Sequence, residues 1–327
     1  MNTGSIQPAP ADASAPRLGL ALGGGAARGL AHIVVLEVLD ELGVRPALLA
    51  CASMGAMVGA AYAAGMAAAD IRHMALQVLS RPSSAARRLL RGAENSPLAL
   101  LNFSLSRGVM IDGLALIETF MPAQVAGANL EELPIPLLIS ATDFYAVREV
   151  VFSSGPVREA VAASIAIPGL IAAPKVNGRL LIDGAIINPV PFDLLQQAGC
   201  APVVAVEVTG QPVPRTGRGG KPRKPGVTDL ALGATQIMQL EIAALKRRFS
   251  PPELWIDPPL DAFKAYDFLK AREILEHADT MREAIKRGIA RVLEGGEGGM
   301  ISAAGLPDET LPRASDSSEA GEAQEDD

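Results

Sequence analysis

The sequence predicts an α/β fold of three layers, in which a mainly parallel central sheet carries helices on both faces. Short apolar runs alternate along the chain with longer segments whose apolar residues recur at helical spacing, a pattern typical of parallel sheets. Candidate reactive side chains stand where several apolar runs end, as they do at the strand ends of open α/β sheets. A chain of 327 residues, 49% of them hydrophobic, is also large enough for one sizeable core.

The predicted elements follow one another in alternation. Strands are predicted at 17–22, 47–51, 135–141, 148–153, 179–182 and 203–208. Helices are predicted at 29–43, 54–65, 68–80, 111–120, 156–164, 190–198, 227–248 and 268–293. We expect one domain at 17–294, with a disordered tail at 1–16 and a disordered acidic tail at 295–327.

The first strand runs into a glycine-rich loop followed by a helix. Gly23, Gly24 and Gly25 leave backbone N–H groups unobstructed at a helix N-terminus, which favours negative charge. One use of such a loop is phosphate binding, but Arg28 stands where a dinucleotide-binding pattern has its third glycine, and no acidic residue for a ribose ends the next strand. The other use is an oxyanion hole, which stabilises charge on an attacked carbonyl oxygen. We favour the oxyanion hole because the next strand ends in a candidate nucleophile.

Ser53 stands where the second strand ends and a helix begins, the arrangement of a nucleophile elbow. Gly55 allows the sharp turn that such an elbow needs. Cys51 replaces the first glycine of the G-x-S-x-G motif, and because cysteine is small we expect the elbow to form. Cys51 lies before the turn and is expected to point into the sheet, so Ser53 is the predicted nucleophile.

Asp183 ends another strand-like segment and precedes a glycine, which makes it a candidate general base for Ser53. On its own, an Asp-Gly pair would indicate only a turn. A Ser-His-Asp triad would need a histidine at the elbow. The chain has three histidines, His32, His73 and His277. The first has apolar neighbours and the other two stand among charged residues in predicted helices, so a serine–aspartate dyad is favoured.

Taken in order, these blocks resemble the patatin-like phospholipase family in its bacterial branch. The matching stretches are GGGAARG at 23–29, CASMG at 51–55, ATD at 141–143, ASIAIP at 163–168, DGA at 183–185 and NPVP at 188–191. The resemblance covers roughly 17–208 and implies a patatin-like α/β hydrolase domain.

The resemblance further implies a serine acyl hydrolase that cleaves carboxylic ester bonds of phospholipids, lysophospholipids or related lipids in lipid catabolism. Ser53 would attack the acyl carbonyl, Asp183 would accept its proton, and an acyl-enzyme would then be hydrolysed. The glycine loop would hold the oxyanion with Arg28 in support. One alternative is a catalytically weak lipid-binding or regulatory protein on the same fold; another is a nucleotide-binding protein that uses the glycine loop.

Two further segments are candidates for lipid contact. The segment 81–116 is apolar with scattered arginines and is predicted to cap the acyl chain, with Leu98, Leu101 and Phe103 as substrate-binding residues. The segment 213–225 carries five cations, Arg215, Arg218, Lys221, Arg223 and Lys224. These cations would attract anionic headgroups, although a solvated flexible loop explains them equally well.

Composition narrows the partners and the location. The net charge of −7 belongs to the tail, where 308–327 hold eight acidic residues and one arginine, so the body is neutral. That neutrality and an aromatic content of 4% argue against nucleic acid, and no Cys/His cluster predicts a metal or another cofactor. Cys51 and Cys200 are far apart, which predicts a reducing compartment without disulfides.

No signal peptide is apparent at 1–16. The uncharged stretch at 47–69 is long enough to span a membrane, but its alanines and glycines favour a buried elbow helix. We therefore expect a cytoplasmic protein with peripheral contact at the inner membrane surface. Its oligomeric state is left open.

Overall fold

The computed structural model describes residues 17–80, 111–214 and 224–302. The strands are β1 (Gly19–Leu22), β2 (Leu48–Ala52), β3 (Leu137–Asp143), β4 (Arg148–Phe152), β5 (Lys175–Val176), β6 (Arg179–Asp183), β7 (Val203–Val206), β8 (Leu254–Asp257) and β9 (Gly299–Ser302). The helices are α1 (His32–Leu42), α2 (Met54–Ala63), α3 (Ala68–Ser80), α4 (Gly113–Phe120), α5 (Ala123–Ala126), α6 (Val157–Ser164), α7 (Phe192–Gln197), α8 (Val227–Phe249), α9 (Ala271–Asp279) and α10 (Arg282–Leu293). Short 3-10 turns are formed by Ala26–Ala31, Leu130–Glu132, Gly184–Ile186 and Phe268–Lys270.

The nine strands form one sheet in the order β5-β6-β3-β2-β1-β7-β8-β9, and β4 pairs with β3 off this path. The pairs β1–β2, β1–β7, β2–β3, β7–β8 and β8–β9 are parallel, whereas β4 and β6 run antiparallel to β3. The predicted mainly parallel sheet is therefore confirmed.

Alternate residues of β1 face opposite cores, as the period of a strand requires. Leu20 and Leu22 pack with α1 and α2 in the larger core. Ala21 faces the other side, where Phe192 and Leu195 of α7 pack with Trp255. The helices thus lie on both faces of the sheet, which confirms the three layers.

The structure corrects several predicted bounds. The helix predicted at 29–43 begins as the 3-10 turn before α1, and the helix predicted at 268–293 is divided into α9 and α10 by a break at Thr280 and Met281. The strands β5, β8 and β9 were not predicted, because β5 and β8 are short and depend on pairing with distant partners. Met300 of β9 lies opposite Trp255 of β8, so residues 299–302 belong to the fold and not to a disordered tail. Residues 295–298 of the predicted tail are described too and lead into β9, whereas 1–16 and 303–327 lie outside the described residues.

The stretch at 47–69 forms β2 and α2, and α2 is buried behind the sheet as predicted. Within the ranges that the structure describes, no helix is long and apolar enough to cross a membrane. Cys51 and Cys200 are both buried and unpaired with each other.

Candidate active site

The site is formed where β2 and β6 meet end to end on one edge of β3. Ala52 of β2 lies opposite Ser140, and Asp183 of β6 lies opposite the next residue, Ala141. The other edge of β3 is occupied by β4 from Ile139 onward, so β2 and β6 share the remaining edge. Because the two strands run toward each other, their last residues converge over the middle of β3.

Ser53 follows β2 at this point and turns out of the sheet. Its backbone has φ 52° and ψ −123°, a strained conformation for a residue with a side chain, with a cost on the order of 1–3 kcal/mol. Its Oγ donates to Oδ2 of Asp183 at 2.7 Å, across 130 positions of sequence. Its amide donates to Oγ of Ser164 at 2.8 Å. Both backbone and side chain of Ser53 are therefore held by residues far away in the chain.

Small residues allow α2 to approach the sheet this closely. A Cβ added to Gly55 would lie 2.1 Å from the carbonyl oxygen of Leu22, so only glycine fits at that position. A Cβ added to Gly59 would lie 2.5 Å from Sγ of Cys51. The cysteine that replaces the motif's first glycine is thus accommodated by a glycine one turn along α2. Burial raises the pKa of the Cys51 thiol, which keeps it protonated and unreactive.

The carboxylate of Asp183 is buried, with 4% of the residue exposed. Oδ2 accepts from Ser53, and Oδ1 accepts from the amide of Ala185 at 2.8 Å. Burial raises the pKa of Asp183 to about 6, and the two hydrogen bonds oppose this rise. At the next residue, a Cβ on Gly184 would lie 2.0 Å from the carbonyl oxygen of Ser140, so glycine is required where the chain leaves β6.

The glycine loop touches the elbow, but the structure corrects which of its amides are available. The amide of Gly23 donates to the carbonyl of Val206 at 3.1 Å, and that of Gly24 donates to the carbonyl of Pro189 at 2.9 Å. Both are therefore already bonded and do not fit the predicted role of oxyanion donors. Among the described residues, the amides of Gly25 and of its neighbour Ala26 have no such partner.

Gly24 serves a steric role instead. A Cβ at this position would lie 2.4 Å from Cβ of Ala185 and 3.2 Å from Cβ of Ser53. The absence of a side chain lets the loop, the elbow and the turn after Asp183 meet.

The loop is held from below by His32, which sequence reasoning treated only as a packed side chain. Nε2 of His32 lies 2.8 Å from the carbonyl oxygen of Gly23. Burial lowers the pKa of His32 to about 4, so the ring is neutral near pH 7 and its Nε2–H donates to this carbonyl. The run of apolar neighbours around His32 was the available signal, since a buried imidazole needs a hydrogen-bond partner.

Arg28, predicted to support the loop, is buried with 4% exposed. Its guanidinium packs against Gly210, beyond the end of β7. Desolvation raises the pKa of the buried Glu207, and the positive charge of Arg28 partly opposes that rise. Arg28 lines a different cavity from Ser53. His73 and His277 are exposed, and Nδ1 of His277 lies 2.9 Å from the carbonyl oxygen of Glu273 in its own helix.

A cavity of about 140 Å³ opens beside Ser53. Its walls come from α1 to α4, from the 3-10 turn before α1, from the segment after α6 and from residues 266 and 268, and none of the described residues that line it is charged. Apolar members of the lining include Ile33, Met57, Ile71, Leu79, Phe120 and Ile171. The predicted substrate contacts Leu98, Leu101 and Phe103 lie outside the described residues, as do the rest of 81–110 and the cations at 215–223.

No cluster of three or more metal-ligating side chains occurs in 17–80, 111–214 or 224–302. The described part of the site contains a buried serine, a buried carboxylate, a neutral histidine and backbone amides.

Comparison with known proteins identifies the family to which the chain belongs. The model of the patatin-like phospholipase family matches residues 20–195, and the chain therefore belongs to that family. An uncharacterized NTE family protein of Mycobacterium tuberculosis is 38% identical over 208 residues, which cover 62% of this chain and 53% of the relative. The chain thus spans about half the length of that relative.

The human patatin-like phospholipase domain-containing protein 6 is 26% identical over 295 residues, which are 84% of this chain and 20% of the human protein. Among solved structures, VipD from Legionella pneumophila matches with a TM-score of 0.38 and 13% identity, over 83% of this chain and 67% of that one. The family predicted from the sequence is confirmed by the family match.

Proposed function

We propose that the protein hydrolyses carboxylic ester bonds of phospholipids or lysophospholipids through a Ser53–Asp183 dyad. The observation that carries this proposal is the 2.7 Å hydrogen bond from Oγ of Ser53 to Oδ2 of Asp183, beside an apolar cavity. A strained serine at a strand–helix turn with a buried base in contact is the arrangement that activates a hydroxyl for acyl transfer.

In the proposed reaction, Oγ of Ser53 attacks the acyl carbonyl carbon while its proton passes to Asp183. The tetrahedral intermediate collapses with cleavage of the ester C–O bond, and the alcohol leaves with the proton from Asp183. Water then attacks the acyl-enzyme, giving one proton to Asp183, and the second collapse returns that proton to Oγ as the fatty acid leaves. With its pKa raised to about 6, the carboxylate is still ionised at neutral pH but is a stronger base than an exposed aspartate.

The developing oxyanion needs donors that are not already bonded. The amides of Gly25 and Ala26 meet this condition, and so does the amide of Met54, the residue after the nucleophile and the first of α2. These three amides are the proposed oxyanion hole, in place of the amides of Gly23 and Gly24. Loss of one such donor typically lowers turnover by about 10²–10³.

The lining of the cavity supports the proposed substrate class. Hydrocarbon is the ligand that an uncharged, apolar wall accepts best, so the acyl chain enters and a polar headgroup stays outside. Ala26 and Ser53 both line the cavity, which supports the proposal that the nucleophile and the oxyanion donors act at its acyl end.

The test is a panel of esters, from short-chain p-nitrophenyl esters to lysophospholipids and phospholipids, with the parent protein and Ser53→Ala. We expect Ser53→Ala to lose hydrolysis of every ester and to lose labelling by a fluorophosphonate probe. Ser154→Ala is the matched control, because Ser154 is exposed. Substantial hydrolysis by Ser53→Ala would overturn the proposal, and lipid binding by the parent without labelling or hydrolysis would favour the lipid-binding alternative.

A further inference from the structure

The turn between β3 and β4 carries an exposed apolar tip, formed by Phe144, Tyr145, Ala146 and Val147. Exposed fractions are 51% for Phe144, 78% for Tyr145 and 81% for Val147. The rings of Phe144 and Tyr145 contact each other edge to face, with centroids 5.1 Å apart. Contiguous large apolar groups at the surface mark an interaction site more often than isolated ones do.

The tip follows the C-terminal end of β3, the same end of the parallel strands at which Ser53 follows β2. Ser53 leaves β2 just after the residue opposite Ser140, and β3 continues parallel to β2 for three more residues before the tip begins. At 3.3 Å per residue, the tip stands about 13 Å beyond the level of Ser140. A surface that touches the tip would therefore approach the sheet from the strand end beyond which Ser53 lies.

Exposed cations surround the tip. Arg148 begins β4 directly after Val147, and Arg179 begins β6 where the amide of Phe144 bonds to the carbonyl of Leu180. Lys175 of β5 lies opposite Leu180 and is also exposed. Aromatic side chains with basic neighbours are typical of protein surfaces at the boundary between lipid tails and headgroups.

The two carboxylates of the hairpin strands next to the tip, Asp143 and Glu149, are turned inward. Asp143 is buried, accepts from the amide of Ala146 at 3.1 Å and lies 3.8 Å from Nε of Arg179. Glu149 accepts from Oγ of Ser140 and from Asn188, both on the inner side of the hairpin. The outward charge around the tip is therefore positive.

The backbone conformation of Val147 is unfavourable for a valine. Its φ is 51°, a region in which β-branched residues are outliers and glycine or asparagine is preferred. An exposed, strained valine adds nothing to the core. Its apolar side chain is explained if the tip is buried in a complex.

We propose that the tip, with Arg148, Arg179 and Lys175, is the surface that docks onto an anionic lipid membrane. The charge of the surroundings selects this occupant over a second copy of the chain, because a twofold contact through the tip would bring the same cations face to face. The proposal rests on the proposed function in one respect only, that the substrate is reached at a lipid surface.

The experiment is cosedimentation with vesicles of phosphatidylcholine alone or mixed with phosphatidylglycerol, in the Ser53→Ala background so that no lipid is hydrolysed. We expect the parent to bind the anionic vesicles more strongly than the neutral ones. Tyr145→Ser with Val147→Ser should weaken partitioning by about tenfold for each large apolar side chain removed. Arg148→Gln with Lys175→Gln should weaken it at low salt and have less effect at high salt.

The matched control is Leu230→Ser with Ile237→Ser on α8, because these side chains are 59% and 51% exposed and precede the end of the helix where Lys246 bonds through Asn188 to Glu149 of β4. We expect this control to bind as the parent does. A second readout is Val147→Asn, which should raise the melting temperature by relieving strain and still weaken vesicle binding.

No binding by the parent, full binding by the tip variant, or equal loss in the tip and α8 variants would each overturn the proposal. A separate assay distinguishes loss of docking from failure of the proposed function. It measures hydrolysis of a soluble short-chain ester by the same tip variant with Ser53 restored. That hydrolysis should be unchanged if only docking is lost.

Discussion

The amide of Ser53 donates a 2.8 Å hydrogen bond to Oγ of Ser164, a residue 111 positions away at the end of α6. Ser164 is fully buried, so this hydrogen bond is shielded from water. The elbow is strained at Ser53, and a hydrogen bond to its backbone is one of the contacts that hold the strained conformation in place.

Ser164→Ala should therefore lower turnover by roughly tenfold and reduce the free energy of unfolding by about 1–3 kcal/mol, because the buried amide of Ser53 loses its acceptor. Ester hydrolysis and urea unfolding measure the two effects. Ser164→Thr keeps the hydroxyl and should retain more activity than the alanine variant. Unchanged turnover in Ser164→Ala would show that the elbow does not need this bond.

The hydrogen bond between Ser53 and Asp183 predicts that loss of either residue removes the same catalytic function. Ser53→Ala and Asp183→Asn should each abolish ester hydrolysis while leaving the fold intact, and the double variant should be little worse than either single one. Circular dichroism checks the fold and single-turnover kinetics check the chemistry. Multiplicative losses in the double variant would contradict a dyad.

The pKa of about 6 for Asp183 predicts that activity falls as the pH drops through 6, because the base becomes protonated. Measurement of kcat/KM between pH 4 and pH 9 with a soluble ester tests this limb of the profile. A profile that stays flat through pH 6 would mean that another group is the base.

The same group predicts an opposite trend in stability. The pKa of Asp183 is raised from 3.8 to about 6 on folding, so the folded protein binds the proton more tightly than the unfolded chain does. The stabilising effect is complete below pH 4 and is lost as the pH rises to about 6. Asp183→Asn should remove this loss, so its melting temperature relative to the parent should be higher at pH 8 than at pH 4.

The contact between Cys51 and Gly59 predicts a compensating pair. Gly59→Ala should reduce the free energy of unfolding by about 1–3 kcal/mol, because its new Cβ meets Sγ of Cys51. In the Cys51→Gly background the same change should be tolerated, and urea unfolding of all four proteins measures the coupling. Gly233→Ala on α8 is the control, since nothing lies within 4 Å of a Cβ at that position. Equal destabilisation by Gly59→Ala in both backgrounds would refute the pairing.

The local pattern of the sequence was sufficient for the elements that carry the site. Apolar runs predicted β1, β2, β3, β4, β6 and β7, and the sharp change from apolar run to small residues located the elbow at Ser53. Asp183 was singled out by its place at a strand end before Gly184. The family followed from the order of these blocks along the chain, which the family match confirms.

Three features depended on contacts between distant segments, which no local pattern contains. The sequence could not show that β6 runs antiparallel and meets β2 end to end on β3, although this is what joins Ser53 to Asp183. It also could not show that the amides of Gly23 and Gly24 donate hydrogen bonds to carbonyls of other segments. The strand β9 was missed because its partner β8 is a short run remote in sequence. The residue types along the chain determine which groups are reactive. Strand direction and hydrogen-bond partners arise only when remote segments pack, and these two features of the tertiary structure decide how the reactive groups are arranged.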